Sequence, residues 1–212
     1  MIKILKYGQV PNSEIFARVE PAVNVEAVVS EIIANVRENG DTALLEYNRK
    51  FDKADLTALR VSQEELEEAF AAVEPEFLSI LEQAAANIRA FHSRQVRSSF
   101  VIADKPGIVL GQKVTPIEKV GIYVPGGTAA YPSTVLMDSI PAKIAGCKEI
   151  VMVTPPSANG KVNPVILAAA KIAGVDRIFK VGGAQAIAAL AYGTESVPKV
   201  DKIVGPGNAY VA

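Results

Sequence analysis

The sequence contains a single cysteine and a single histidine in 212 residues, and this scarcity limits the chemistry that the chain can carry. Cys147 alone can form neither an internal disulfide nor a metal site of clustered thiolates, as is typical of a protein from a reducing cytosol. His92 has no polar constellation beside it in the sequence that would support a general base or a metal ligand. We therefore expect His92 to be structural or to face solvent.

The chain also lacks an excess of charge and a long uncharged apolar run. It has 22 basic and 23 acidic residues, well mixed, for a net charge of −1, so no cationic face is expected for nucleic acid or anionic lipid. No segment reaches membrane-spanning length without charge, and residues 1–7 lack the apolar core of a secretory signal. These absences predict a soluble, cytoplasmic protein that binds neither nucleic acid nor membrane.

Residues from about 24 to 96 have the apolar periodicity of helices. We predict helices from Asn24 to Asn39, closed by Gly40, and then over Asp41–Phe51, Ser62–Val73 and Pro75–Val96. Ser62 with Glu65 is a possible capping box, Asp41 a plausible N-cap, and Pro75 suits a first helical turn. One apolar stripe is predicted from Phe77, Ile80, Leu81, Ala84 and Ile88. We interpret this region as scaffold.

From about residue 114 strands alternate with helices. We predict strands at roughly 119–124, 149–153, 176–181 and 201–204, and helices at 133–145, 163–173 and 184–192. Such alternation favours a parallel sheet, and the nearly continuous apolar strand cores indicate helices on both faces. The predicted fold is therefore α/β: a Rossmann-like parallel sheet in residues 114–212, preceded by a mainly helical N-terminal region, residues 1–113, that is part of the first domain.

Three loops that contain glycine follow predicted strands, at Gly126-Gly127, Gly182-Gly183 and Gly205-Pro-Gly207. Glycine lets a phosphate approach the backbone, and a helix that begins beyond the loop offers unpaired N–H groups. One such loop alone is more often an ordinary turn, but right-handed crossovers put all three at one edge of the sheet. They indicate a nucleotide site, although none matches the standard dinucleotide fingerprint G-x-G-x-x-G.

Three side chains beside these loops are candidates for ligand contact. Tyr123 ends the first strand of the alternating region, where its ring could cover a base or a nicotinamide; ordinary strand packing is the alternative. Gln185, in the first helical turn after Gly183, has two donors and an acceptor, and the alternative is a solvated residue. Asn208 suits the N-cap of a helix that begins at Ala209, a structural role that local physics favours without excluding ligand contact.

Cys147 precedes the strand predicted at 149–153 and so lies at its amino end, opposite the glycine loops. A thiol nucleophile has to lie beside the bound cofactor, which this position does not allow. We expect Cys147 to behave as a small buried hydrophobic residue.

The ordered motifs of the second half resemble the histidinol dehydrogenase family. They are Val120-Gly-Ile-Tyr-Val-Pro-Gly-Gly127, Ser133-Thr-Val-Leu-Met137, Ile144-Ala-Gly-Cys-Lys148, Val181-Gly-Gly-Ala-Gln185, Gly193-Thr-Glu-Ser-Val-Pro-Lys-Val-Asp-Lys202 and Gly205-Pro-Gly-Asn208. The similarity is dense from about Pro116 to Ala212, and the helical half, including Ile88-Arg-Ala-Phe-His92, is similar more loosely. The fold that this family implies is related to that of the aldehyde dehydrogenases.

The resemblance implies an NAD-dependent, zinc-assisted oxidation of L-histidinol through histidinal to L-histidine, the last chemistry of histidine biosynthesis, in a homodimer that uses two NAD molecules. Matched motif by motif, the family's NAD contacts fall on Tyr123, Gln185 and Asn208. The family's zinc ligands, substrate contacts and acid/base pair of glutamate and histidine all follow the Gly-Pro-Gly-Asn loop. No catalytic or metal-binding residue is therefore expected in this chain.

We accordingly expect an N-terminal part of a longer enzyme, inactive alone, with a cofactor domain truncated at its C-terminal end. The short helix predicted from Ala209 to Ala212 also favours this, because so few residues do not stabilise a helix by themselves. Two alternatives stay open. One is a non-catalytic nucleotide-binding or dimerisation module, and the other is an aldehyde-dehydrogenase-like oxidoreductase that handles an aldehyde or acyl phosphate through Cys147.

Overall fold

The computed structural model describes residues 4–17, 25–126 and 130–212 of the chain. Its α-helices are α1 (Asn12–Ile15), α2 (Glu26–Tyr47), α3 (Gln63–Ala71), α4 (Pro75–His92), α5 (Pro132–Ile144), α6 (Pro164–Ala173) and α7 (Gly183–Tyr192). Its strands are β1 (Phe100–Lys105), β2 (Ile108–Gln112), β3 (Lys119–Tyr123), β4 (Glu149–Thr154), β5 (Arg177–Lys180) and β6 (Lys202–Val204). A short π-helix, Asn48–Asp52, continues α2, and a 3₁₀ turn, Ser93–Gln95, continues α4. Within the described part of the chain, no helix is both long and apolar enough to cross a bilayer.

Four parallel strands form the central sheet, in the spatial order β5-β4-β3-β6. The register pairs Lys119 with Glu149, and Val120 with both Ile150 and Lys202, so the carboxyl ends of the strands share one edge. The parallel sheet predicted from the alternating pattern is confirmed, as are the four strands and three helices of this region to within a few residues.

Helices cover both faces of this sheet, as predicted. Alternate strand residues explain the two cores, because successive side chains of a strand point to opposite faces. Ile122 and Met152 pack into one core with α3, α4, α5 and α6, while Val151 and Val153 pack into the other with α2 and α7. The sheet is therefore the middle layer of three, and its edges are the natural places for a ligand to approach it.

The N-terminal helices begin and end close to their predicted positions. Gly40 has φ 51° and ψ −129° and breaks α2 where the sequence predicts a helix end, while Asn24, the predicted start, lies outside the described residues. The capping box is confirmed, since Glu65 N donates to Ser62 Oγ at 3.1 Å and Ser62 N donates to Glu65 Oε2 at 3.0 Å. Pro75 occupies the first turn of α4 as expected.

One prediction for the helical region is wrong, and another holds only in part. Asp41 is not an N-cap, because its carboxylate accepts hydrogen bonds from Thr194 and Ser196 in the loop after α7. The stripe on α4 is only partly buried: Leu81 is in the core, but Ile80 is exposed, because the helix packs through Leu81 and Ala85. The antiparallel hairpin β1–β2 was not predicted at all, and every residue of its two strands is exposed.

Candidate functional site

A cleft of about 540 Å³ lies at the carboxyl edge of the sheet, where the segments after β3, β4, β5 and β6 meet. This volume is in the range of pockets that hold nucleotides and other small ligands. Its lining comprises Val28, Ile32, Phe51, Asp52, Tyr123, Pro125, Gly126, Pro155, Gly182, Gly183, Ala184, Gln185, Asn208 and Tyr210. The fold thus brings the three predicted residues, Tyr123, Gln185 and Asn208, into one cleft from three separate segments.

Two of the glycine loops approach each other through Pro155, in the segment after β4. A Cβ atom at Gly182 would lie 2.7 Å from Cβ of Pro155, and one at Gly126 would also collide with the Pro155 ring. These glycines are therefore required by packing between loops, in addition to any contact with a ligand. Gly127 of the same loop lies outside the described residues.

Helix α7 begins at the cleft. Its N-cap, Gly182, offers no side-chain acceptor, and Gly183 has φ 66°, a conformation that favours glycine. The Gly183 N–H donates to the Tyr123 hydroxyl at 3.2 Å, so the helix start is tied to the end of β3. The remaining N–H groups of the first turn have no partner within the helix and provide the partial positive charge that attracts anions.

Tyr123 is buried, with 6% of its surface exposed. Burial raises the pKa of its hydroxyl above the usual range, and the nearby Asp52 carboxylate adds to the rise, while the Gly183 hydrogen bond opposes it. The phenol therefore stays protonated and can donate a hydrogen bond into the cleft. The side chain packs against the α2/α7 core, so the predicted alternative of strand packing applies together with its position in the cleft.

Gln185 is also buried, with 2% of its surface exposed, although it lines the cleft. The alternative of a solvated polar residue is therefore wrong. A buried amide requires hydrogen-bond partners, and its place in the first turn of α7 makes its donors and acceptor available to a molecule in the cleft.

Asn208 organises the last described turn of the chain. Its Oδ1 accepts a hydrogen bond from Tyr210 N at 3.0 Å, and its carbonyl oxygen accepts from the N–H groups of Val211 and Ala212. The side chain has the capping role that was predicted, but residues 209–211 form a turn and not a helix. Because Asn208 is exposed and lines the cleft, its amide Nδ2 group can also reach a ligand.

Phe51 and Asp52 complete the cleft and were missed by the sequence interpretation, which treated the helical region as scaffold. Phe51 is 48% exposed and stacks on Tyr47 with the ring centroids 5.4 Å apart. Asp52 Oδ2 is buried without a hydrogen-bond partner among the described residues, and burial raises the pKa of this carboxyl to about 6. The only local signal is an aromatic and an acidic residue at the end of a predicted helix, a pattern too common to identify a site.

Cys147 and His92 lie outside the cleft lining, as expected. Cys147 is buried at the amino side of β4, and burial raises the pKa of its thiol, although Lys143 and a backbone hydrogen bond act in the opposite direction. His92 Nδ1 is 2.6 Å from Gln95 Oε1 next to the end of α4, a satisfied structural contact. Within residues 4–17, 25–126 and 130–212, no group of three or more His, Cys, Asp or Glu residues is placed to hold a metal ion.

Comparison with known proteins gives a consistent result. The family model described as histidinol dehydrogenase matches residues 17–212. A histidinol dehydrogenase of Clostridium acetobutylicum is 52% identical over 100% of this chain and 50% of its own length, and one of Syntrophotalea carbinolica is 60% identical over 91% of this chain and 45% of its own. The crystal structure of the histidinol dehydrogenase of Elizabethkingia anophelis superposes with a TM-score of 0.88 at 44% identity, covering 92% of this chain and 45% of that one. The chain thus spans about half the length of the curated relatives it matches.

Proposed function

The chain belongs to the histidinol dehydrogenase family, and on this premise we propose that it provides the NAD-binding cleft of an enzyme that oxidises L-histidinol through histidinal to L-histidine. The observation that carries the proposal is the convergence of Tyr123, Gln185 and Asn208 on one cleft at the carboxyl edge of the sheet. In open α/β sheets, ligands bind at this edge. The proposal includes a cytoplasmic, homodimeric enzyme of histidine biosynthesis and a division of the chain into residues 1–113 and 114–212.

The residues of the cleft fit a dinucleotide. The first turn of α7 and the glycine loops suit phosphate groups, and Phe51 and Tyr123 offer aromatic surface to a base or a nicotinamide ring. Gln185 supplies a buried amide that needs polar partners, and Asn208 supplies an exposed one. We propose that Tyr123, Gln185 and Asn208 hold NAD, which when bound accepts a hydride from the substrate.

In this proposal the chain's own residues bind and orient; none of them is assigned a catalytic role. The apolar wall formed by Val28, Ile32 and the two prolines Pro125 and Pro155 excludes water from one side of the cleft. The protonated Tyr123 hydroxyl accepts a hydrogen bond from Gly183 N–H, and this bond holds the start of α7 next to the end of β3. Together these contacts give a preformed surface for the cofactor.

The described residues do not fit the zinc that the family implies, since they contain no cluster of metal-ligating side chains. We therefore assign neither a zinc ligand nor an acid/base step to this chain. The corresponding proposal is that the 212-residue chain binds NAD but does not oxidise histidinol by itself.

Calorimetric titration of the purified chain with NAD tests the binding part of the proposal. We expect saturable binding to one site, and a loss of about tenfold in affinity for Gln185→Ala, which removes the hydrogen bonds of a buried amide. Gln63→Ala is the matched control, because Gln63 is an exposed amide on α3 away from the cleft. Thermal unfolding of both variants checks that they are folded.

An assay of NADH formation with L-histidinol, NAD and added zinc tests the catalytic part. We expect no histidinol-dependent NADH from the chain alone. Turnover would contradict the absence of catalytic residues, and failure of wild-type chain to bind NAD, or equal affinity in Gln185→Ala, would contradict the assigned cofactor site.

A second candidate is a nucleotide-binding or dimerisation module without catalysis, favoured by the intact cleft and the lack of a metal cluster among the described residues. The thiol mechanism through Cys147 is disfavoured, because the thiol is buried at the amino edge of the sheet, whereas the cleft lies at the carboxyl edge. Undiminished oxidation of histidinol by Cys147→Ser in a histidinol dehydrogenase that contains this chain would exclude the thiol mechanism.

A further inference from the structure

Asp52 is held in the cleft by a rigid local structure. It ends the π-helix Asn48–Asp52, a form that is rare and frequently found at functional sites. The next residue, Lys53, has φ 58°, which terminates the π-helix sharply. Asn48 is fully buried and its Nδ2 donates to the Lys180 carbonyl oxygen at 2.7 Å, so the π-helix is attached to the end of β5. The position of the Asp52 carboxyl is thereby fixed relative to the sheet.

The carboxyl lies where the cleft meets a smaller pocket of about 140 Å³. Asp52 lines both cavities, together with Pro125, Gly126 and Pro155. An extended ligand that fills both spaces has to pass this carboxyl. A dinucleotide is a ligand of that shape, with two ribose units joined by a pyrophosphate.

One oxygen of this carboxyl, Oδ2, is buried and has no hydrogen-bond donor among the described residues. A buried acceptor without a partner destabilises a protein, so its retention needs a reason such as a ligand that supplies the donor. The titratable groups that share its two cavities are the hydroxyls of Tyr123 and Tyr210. Among its cationic neighbours in the chain, Lys53 donates to the Lys50 carbonyl at 2.8 Å, and the Lys50 ammonium lies 5.4 Å from the Phe51 ring centroid.

The Asp52 carboxylate favours ligands that present a hydrogen-bond donor over ligands that present a negative charge. A ribose hydroxyl group donates a hydrogen bond to a carboxylate, whereas a phosphate ester in the same place has no proton to donate at neutral pH and repels it. None of the described residues that line the two cavities is a lysine or an arginine, so a second phosphate would not find a counter-ion there. Acidic side chains that bind ribose hydroxyls are a general device of dinucleotide sites.

We propose that Asp52 is a specificity-determining residue of the cleft: its carboxylate accepts a hydrogen bond from a ribose hydroxyl of the bound dinucleotide and excludes a dinucleotide that carries an additional phosphate on that ribose. This proposal rests on the proposed function, since it concerns the ligand of the same cleft. It adds a residue from the helical region, 71 positions before Tyr123 in the sequence, to the assigned cofactor contacts Tyr123, Gln185 and Asn208.

Titration of the 212-residue chain with NAD and with NADP at pH 8 tests the proposal, using wild type, Asp52→Asn and Asp52→Ala. We expect wild type to bind NAD at least about tenfold more tightly than NADP, because the carboxylate repels the phosphate. In Asp52→Asn this ratio falls to about threefold or less, chiefly through tighter binding of NADP. In Asp52→Ala the affinity for NAD also falls about tenfold, because a charge-assisted hydrogen bond is lost.

Asp55→Asn is the matched control, since it removes the same charge three residues away, from an exposed side chain paired with Arg49 at 2.7 Å. It leaves the NAD to NADP ratio at the wild-type value. If wild type binds NAD and Asp52→Asn leaves both affinities within twofold of wild type, the role of Asp52 is overturned while the cofactor site stands. If wild type binds neither dinucleotide, the proposed function fails and the role of Asp52 fails with it.

Discussion

At the scale of single residues, three of the side chains that line the cleft hold polar groups in buried or partly buried positions. Gln185 is almost fully buried there, Tyr123 is tied to the start of α7, and Asp52 Oδ2 has no hydrogen-bond donor within the described ranges. Such groups reduce stability unless a ligand or the protein satisfies them. Their burial beside the cleft supports a role in ligand binding, and it cannot be read from the residue types alone.

Replacement of Asp52 by asparagine is expected to stabilise the chain at alkaline pH. Burial raises the pKa of this carboxyl from its usual 3.8 to about 6, so the folded chain retains a proton that the unfolded chain has lost. The protonated form of Asp52 therefore favours the folded chain. This contribution to the free energy of unfolding is fully present below about pH 4 and is lost as the pH rises through about 6. The rise corresponds to at most about 3 kcal/mol, and solvent screening of this partly exposed carboxyl reduces it to about 1–2 kcal/mol.

Urea unfolding of wild type and Asp52→Asn at pH 4.5 and pH 8 measures this effect. We expect the free energy of unfolding of the variant to exceed that of wild type at pH 8, with a smaller difference at pH 4.5. Asp55→Asn, which changes an exposed ion pair, should shift stability by about 1 kcal/mol or less at either pH. An equal effect of Asp52→Asn at both pH values would show that the carboxyl is not desolvated in the folded chain.

At the scale of secondary structure, the sequence predicts the parallel sheet and its helices well, because apolar strands alternate regularly with helical segments between 119 and 204. The hairpin β1–β2 could not be predicted in this way, since both faces of its strands are exposed and no alternation of apolar and polar residues marks a buried side. Asp41 was misassigned because its partners, Thr194 and Ser196, are distant in sequence. Local sequence patterns indicate helices and strands, but they do not show which of these elements contact one another in the fold.

The same distinction applies to the cleft. Tyr123, Gln185 and Asn208 stand beside glycine loops, so strand order and the family motifs identify them from sequence. Phe51 and Asp52 have no such signal, because they reach the cleft only through the packing of α2 against α7 and the bond from Asn48 to Lys180. A tertiary contact of this kind is invisible until the helices are placed on the sheet.

The capping box of α3 leads to a prediction about the stability of the chain. Ser62→Ala removes the acceptor of Glu65 N–H and should lower the free energy of unfolding by about 1 kcal/mol. Ser79→Ala is a suitable control, because Ser79 is an exposed serine in the interior of α4, where alanine is the better helix former. Chemical denaturation compares the two, and equal stability of both variants would contradict a stabilising cap.

The contact between α2 and the loop after α7 leads to a second prediction about stability. Asp41 accepts from Thr194 Oγ1 at 2.6 Å and from both the backbone and the hydroxyl of Ser196, so Asp41→Ala leaves several donors without their acceptor. We expect the variant to lose about 1–3 kcal/mol of unfolding free energy. Glu46→Ala, an exposed position on the same helix, should change it by less than about 0.5 kcal/mol. A neutral Asp41→Ala in denaturant titrations would mean that this network does not hold α2 in place.

At the scale of the whole molecule, the cleft joins the two regions that the sequence distinguishes. The helical region contributes Phe51 and Asp52, and the alternating region contributes Tyr123, Gln185 and Asn208. The N-terminal helices are therefore a wall of the candidate site as well as a scaffold. The family model likewise matches both regions, from residue 17 to residue 212.

The most direct test of the cofactor site is a crystal structure of the chain with NAD at saturating concentration. The account predicts that the dinucleotide occupies the cleft, with polar atoms at hydrogen-bond distances of about 3 Å from the amides of Gln185 and Asn208 and an aromatic or ribose unit against Tyr123. A dinucleotide bound elsewhere on the chain, with none of these three side chains in contact, would contradict it.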